Sequence, residues 1–93
     1  MAKSKLLKPR GGLAVRAVGD ETLVVDRVNG QVHQLNPTAS YIWSKLDGKE
    51  PLARIVEMLC ERFDVDASVA ARDVAALAED LKQRGLLSSQ AEG

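Results

Sequence analysis

The chain predicts a small α+β domain of winged-helix-like type, with an N-terminal three-stranded antiparallel meander followed by three helices. Two observations carry that reading. The hydrophobic period changes from two to about 3.6 after Leu35, and Asn29-Gly30 separates two strand-like runs, the strongest short-range hairpin signal. Length sets the scale: ninety-three residues make one domain. A chain of that size buries only about 60–65 % of the surface it exposes unfolded, so its core is thin.

The opening, residues 1–12, reads as a flexible basic tail. Lys3, Lys5, Lys8 and Arg10 carry four positive charges without an acid among them, and Pro9, Gly11 and Gly12 close the segment. The whole chain is neutral, thirteen basic residues against thirteen acidic ones, so the remainder holds nine against thirteen, a balance of minus four. The domain proper is expected over 13–87. Its strands fall near 14–18, 22–28 and 31–35. A two-residue turn at Asn29-Gly30 sets Val28 opposite Gln31, Asp26 opposite His33 and Val24 opposite Leu35.

Asn36 is a natural N-cap, and Pro37 suits the first helical position because it has no N–H to leave unsatisfied. Ala39, Ile42, Trp43 and Leu46 then share a face, and Gly48 follows as a stop. The second helix opens at Pro51, with Leu52, Ile55, Val56, Leu59, Cys60 and Phe63 forming an apolar stripe. Asp66 caps the third, whose face is expected to hold Val69, Ala70, Val74, Leu77 and Leu81. Gly85 stops it, Leu86-Leu87 folds back onto the core, and 88–93 is expected to fray.

Composition excludes more than it suggests. One cysteine, Cys60, allows no intrachain disulfide, and with a single histidine, His33, it makes no structural zinc site. Cys60 lies on an apolar stripe, where a free thiol is a small hydrophobe. Glu57 and Glu61 sit one turn apart beside Arg54 and Arg62, the pattern of a solvated face. No phosphate loop, zinc helix or Ser–His–Asp set is present. No catalysis and no cofactor are expected. No run approaches the roughly eighteen apolar residues that span a bilayer, and a cytoplasmic protein without membrane attachment is expected.

Nucleic acid is disfavoured by the neutral total and by only three aromatic residues. The third helix offers Arg72, Lys82, Gln83 and Arg84, but Asp73, Glu79 and Asp80 would face phosphates with like charge. A DNA-binding winged helix remains the alternative, as does a structural or dimerisation module. The feature with most promise is the strand Gln31, Val32, His33, Gln34 and Leu35. In a simple meander it is an edge, and it lacks the lysine, proline or bulge that usually protects one. Such an edge accepts a strand from another chain, which includes a second copy of itself.

Leu35-Asn36-Pro37-Thr38-Ala39, then Ile42-Trp43 and Leu46-Asp47-Gly48, resembles the PqqD-like family, whose domain is also called the RiPP recognition element. The later markers fall at Ile55, Phe63, Asp73-Val74 and Gly85-Leu86-Leu87, so the resemblance covers about Leu23 to Leu87. Pro51 and Arg54 depart from the family's usual Thr and acid, and nothing before Tyr41 is aromatic, unlike members serving pyrroloquinoline quinone synthesis. The resemblance implies a non-catalytic module that binds the leader segment of a ribosomally made precursor peptide. The peptide would add to the strand Gln31 to Leu35 and be presented to a modifying enzyme, often a radical SAM enzyme. It implies a second wall on the third helix, from Asp73, Val74, Leu77, Asp80, Leu81 and Arg84.

Overall fold

The computed structural model describes residues 5–91. Five strands and three helices run β1 (Lys5–Pro9), β2 (Leu13–Val18), β3 (Glu21–Asp26), β4 (Gln31–Leu35), α1 (Pro37–Lys45), α2 (Leu52–Phe63), α3 (Ala67–Gln83) and β5 (Leu87–Ala91). The expected meander is present as an antiparallel sheet in the order β2-β3-β4, and three helices follow it. Along β3 burial alternates: Thr22, Val24 and Asp26 are buried and the residues between them half-buried, so one face of the sheet carries the core.

The register differs from expectation. Asp26 pairs with Gln31, Val24 with His33 and Thr22 with Leu35, which makes the loop Arg27 to Gly30 four residues long. The cause is the Asp26 carboxylate. Its Oδ1 accepts from the backbone N–H groups of Val28 and Asn29, both at 3.1 Å, and its Oδ2 accepts from the Asn29 side chain at 2.8 Å. The chain therefore turns immediately after Asp26. Gly30 has φ of 66° but Asn29 has no positive φ, so the expected two-residue turn does not form. A shift of two leaves every side chain on its expected face. It does separate His33 from Asp26, and no cross-strand pair joins them.

Within the described residues the expected basic tail and frayed end form strands instead, while residues 1–4 and 92–93 of those expectations lie outside the described residues. β1 pairs antiparallel with β5, from Lys5 opposite Ala91 to Pro9 opposite Leu87, in a second sheet. Leu7 anchors it at 5 % exposure, and its carbonyl accepts from Gly48 N–H at 3.0 Å. Arg10 ties the two sheets together. Its Nη2 donates to Asp26 Oδ2 at 2.9 Å and its Nε to the Gly85 carbonyl at 2.6 Å. With these partners the buried Asp26 carboxylate is fully hydrogen-bonded, so its burial is compensated.

The helices follow their sequence signals. Asn36 Oδ1 accepts from Ala39 N–H at 2.8 Å, capping α1. Ile42, Trp43 and Leu46 enter the core, as do Ile55 and Leu59 of α2. Asp66 caps α3 through Ser68 N–H. The buried face of α3 is Ala70, Val74, Ala78 and Leu81; Val69 instead lies outside it, more than a third exposed. At the end of α3, Gly85 N–H reaches the Lys82 carbonyl and Leu86 N–H the Leu81 carbonyl, with Gly85 at φ of 75°. This paired closure needs the left-handed glycine, and it drives Leu86 fully into the core.

Candidate functional site

β4 stands at one end of the sheet order and has β3 as its only strand neighbour among the described residues. Its outer row of backbone N–H and C=O groups is therefore available to a further strand. Gln31, Val32 and Gln34 are exposed, and His33 is half-buried on the helix-facing side opposite Val24. Leu35 points into the core and fixes the strand in place.

Beyond the end of β4 a cavity of about 510 Å³ opens between α1 and α3. One side is the exit from β4 and the first turns of α1, through Asn36, Thr38, Ala39 and Ile42. The other is α3, through Asp73, Ala76, Leu77 and Asp80. Ala39, Ile42, Ala76 and Leu77 supply its apolar lining, and the carboxylates of Asp73 and Asp80 stand on the α3 side. At the far end of the groove Arg84 links helix and strand. It grips Asp80 at 3.2 Å, and its Nη1 lies 3.1 Å from His33 Nδ1. Since a guanidinium only donates, Nδ1 accepts, and the ring proton sits on Nε2. That Nε2 is buried without a partner among the described residues.

Of the residues expected at the site, Asp73, Leu77 and Asp80 line the cavity, Arg84 joins Asp80 to His33 beside it, and Gln31, Val32, Gln34 and Leu35 of β4 do not line it. Val74 and Leu81 do not reach it: they are 1 % and 0 % exposed and belong to the core. Asn36, Thr38, Ala39, Ile42 and Ala76 are additional lining residues. Four of these follow β4 directly in the chain, and that adjacency was their available signal. The opposite edge, β2, borders a second cavity of about 430 Å³ whose lining includes Val15, Trp43 and Leu46.

No group of three or more His, Cys, Asp or Glu suited to a metal ion occurs among the described residues. No helix there is long and apolar enough to cross a membrane. Asp26 is the most perturbed acid, held at about 2 by hydrogen bonds from Asn29 and by Arg10, against the opposing effect of burial. It works in the hairpin loop, away from the groove.

The family model for coenzyme PQQ synthesis protein D (PqqD) matches residues 21–87. The chain belongs to the PqqD family. The match takes in β3, β4 and all three helices, the elements that build the groove. PqqD-like domains are non-catalytic peptide-binding domains. Among solved structures, TbiB1 in complex with the TbiA(beta) leader peptide is 25 % identical with a TM-score of 0.81, covering 91 % of this chain and 99 % of that one. A lasso peptide synthetase B1 complexed with its leader peptide is 28 % identical, also at 0.81, covering 89 % and 98 %. The PqqD truncation of Methylobacterium extorquens PqqCD, a stand-alone RiPP recognition element, shares the fold at 17 % identity and a TM-score of 0.72, covering 88 % and 87 %. No curated protein matches the chain.

Proposed function

We propose that this PqqD-family chain captures the leader segment of a ribosomally synthesised precursor peptide and presents it to a modifying enzyme. The bare edge of β4, with a cavity of mixed polar and apolar lining between α1 and α3 just beyond its end, is the observation that carries the reading. A peptide strand laid along Gln31 to Leu35 forms main-chain hydrogen bonds worth about 0.5–1.5 kcal/mol each, regardless of its sequence. One large apolar side chain seated in the cavity adds about 1.5–3 kcal/mol, roughly 10- to 140-fold in affinity, and that share depends on sequence. His33, Asp73, Leu77, Asp80 and Arg84 form the contact surface. The two neighbours solved with leader peptides bound, TbiB1 and a lasso peptide synthetase B1, support leader-peptide binding here.

The partner enzyme is of the kind that modifies such peptides, with a radical SAM enzyme as the class the family resemblance favours, and both act in the cytoplasm where the peptide is made. The test is a titration of ¹⁵N-labelled protein with leader peptides encoded beside its gene. Amide shifts confined to residues 31–35 and α3 are expected. A peptide that binds elsewhere, or no shift with any neighbouring small peptide, overturns the reading. So does strong protection of β4 amides from exchange without peptide, which marks a strand-paired homodimer.

A further inference from the structure

We propose that the groove selects a peptide carrying Lys or Arg beside the apolar residue that fills the cavity, and that Asp73 makes the selection. The inference rests on the peptide-binding reading above and names the chemistry of its ligand.

Two carboxylates line the cavity, but they are not equivalent. Asp80 is held at 3.2 Å by Arg84, one turn further along α3, and its charge is matched within the protein. Asp73 has no cationic partner among the described residues and lies exposed at the cavity rim. The other lining groups on α1 and at the end of β4, namely Asn36, Thr38, Ala39 and Ile42, carry no charge. A cationic side chain over this end therefore meets one uncompensated negative charge beside the apolar lining. Long Lys and Arg side chains suit that arrangement, since the stem packs on Leu77 and Ala76 while the head reaches the carboxylate.

The same pattern imposes a direction. α3 runs opposite to β4: Arg84 lies against His33, and Asp73 lies beyond Leu35, near Asn36. Asp73 on α3 and Arg84 at its C-cap are eleven positions apart, about 16 Å at 1.5 Å per residue. An extended peptide covers that distance in about five residues. A peptide lying one way places its cation at Asp73. Reversed, it brings the cation against the Arg84 guanidinium and loses the attraction. Strand addition alone is indifferent to such reversal, so the charge pattern supplies what the main chain does not.

The experiment is selection of short random peptides displayed on their encoding RNA against the immobilised full-length protein, with binding sites mapped by amide shifts. Selected peptides are expected to place Lys or Arg next to a large apolar residue, with no basic residue about five positions away. Asp73→Asn is expected to weaken such a peptide three- to fivefold at low salt and to have no effect at high salt. Asp73→Lys is expected to shift the selected residue to Asp or Glu. Asp73 is exposed and outside the core, so both variants keep the fold. Peptides that map to residues 31–35 without a basic preference, or whose binding ignores both substitutions, overturn this inference and leave the peptide-binding reading standing. Failure to select any peptide at that edge removes both.

Discussion

Truncating Leu77 to alanine is expected to weaken peptide binding by about as much as it destabilises the fold. Leu77 is half-buried and its remaining surface lines the cavity beyond the end of β4. The substitution deletes three carbons, worth about 2.4 kcal/mol when fully buried at roughly 0.8 kcal/mol each. About half of that, near 1.2 kcal/mol, is already contributed within the folded protein and is lost as stability. The other half is realised only when a peptide covers the groove, and its loss raises Kd about sevenfold. Leu81, one turn on and 0 % exposed, is the matched control. Leu81→Ala is expected to destabilise by about 3–5 kcal/mol. In a chain of this size each kcal/mol moves Tm by roughly 4–8 °C, so the two variants separate clearly on melting. Fluorescence anisotropy with a labelled leader peptide, run well below both midpoints, reads affinity; urea titration reads stability. If Leu77→Ala loses stability but binds as tightly as wild type, the peptide does not use this cavity. The same conclusion follows if folded Leu81→Ala loses more affinity than Leu77→Ala.

Asn36→Ala removes the α1 cap and should destabilise by about 1 kcal/mol in urea, with Asn36→Asp restoring most of it. Asp26 has its carboxyl lowered to about 2, so the folded state favours the charged form. Its contribution is complete above the ordinary carboxylate range near 4 and is lost as pH falls toward 2. The stability gap between wild type and Asp26→Asn should therefore be widest above about pH 4 and close below it, as followed by circular dichroism; a pH-independent gap contradicts the hydrogen-bonding account. Leu7→Ala should destabilise by about 2–4 kcal/mol because Leu7 is 5 % exposed, whereas a loose tail would register no change.

What could be read from residues was mostly local. Asn36-Pro37 announces α1, Asp66 announces α3, and the stripe from Leu52 to Phe63 announces α2, because caps and helical faces are decided by neighbours within a turn or two. The hairpin register was not readable in the same way. Two- and four-residue loops ending at Gly30 put the same side chains on the same faces, so the hydrophobic pattern cannot choose between them. The choice falls to Asp26, whose carboxylate gathers the loop N–H groups and Arg10. Pairing of β1 with β5 joins residues more than seventy positions apart, and a lysine-rich strand looks locally like a solvated terminus. Val69 lies off the buried face of α3 because Ala78, small enough to pack closely, completes that face with Ala70, Val74 and Leu81. At the site, strand order exposed β4. The opposing wall depended on how α1 and α3 sit together, which no local pattern encodes. Hence Ile42 and Ala76 emerged only from the structure, while Val74 and Leu81 were absorbed by the core.

The pairing of Lys5 with Ala91 brings the two ends of the described chain side by side. Such a domain behaves as a cassette. It can be spliced into a surface loop of another polypeptide, or closed into a ring and reopened at the turn around Gly19, with β3, β4 and α3 remaining continuous throughout. A larger enzyme could host this unit as an insertion as readily as at either of its own ends.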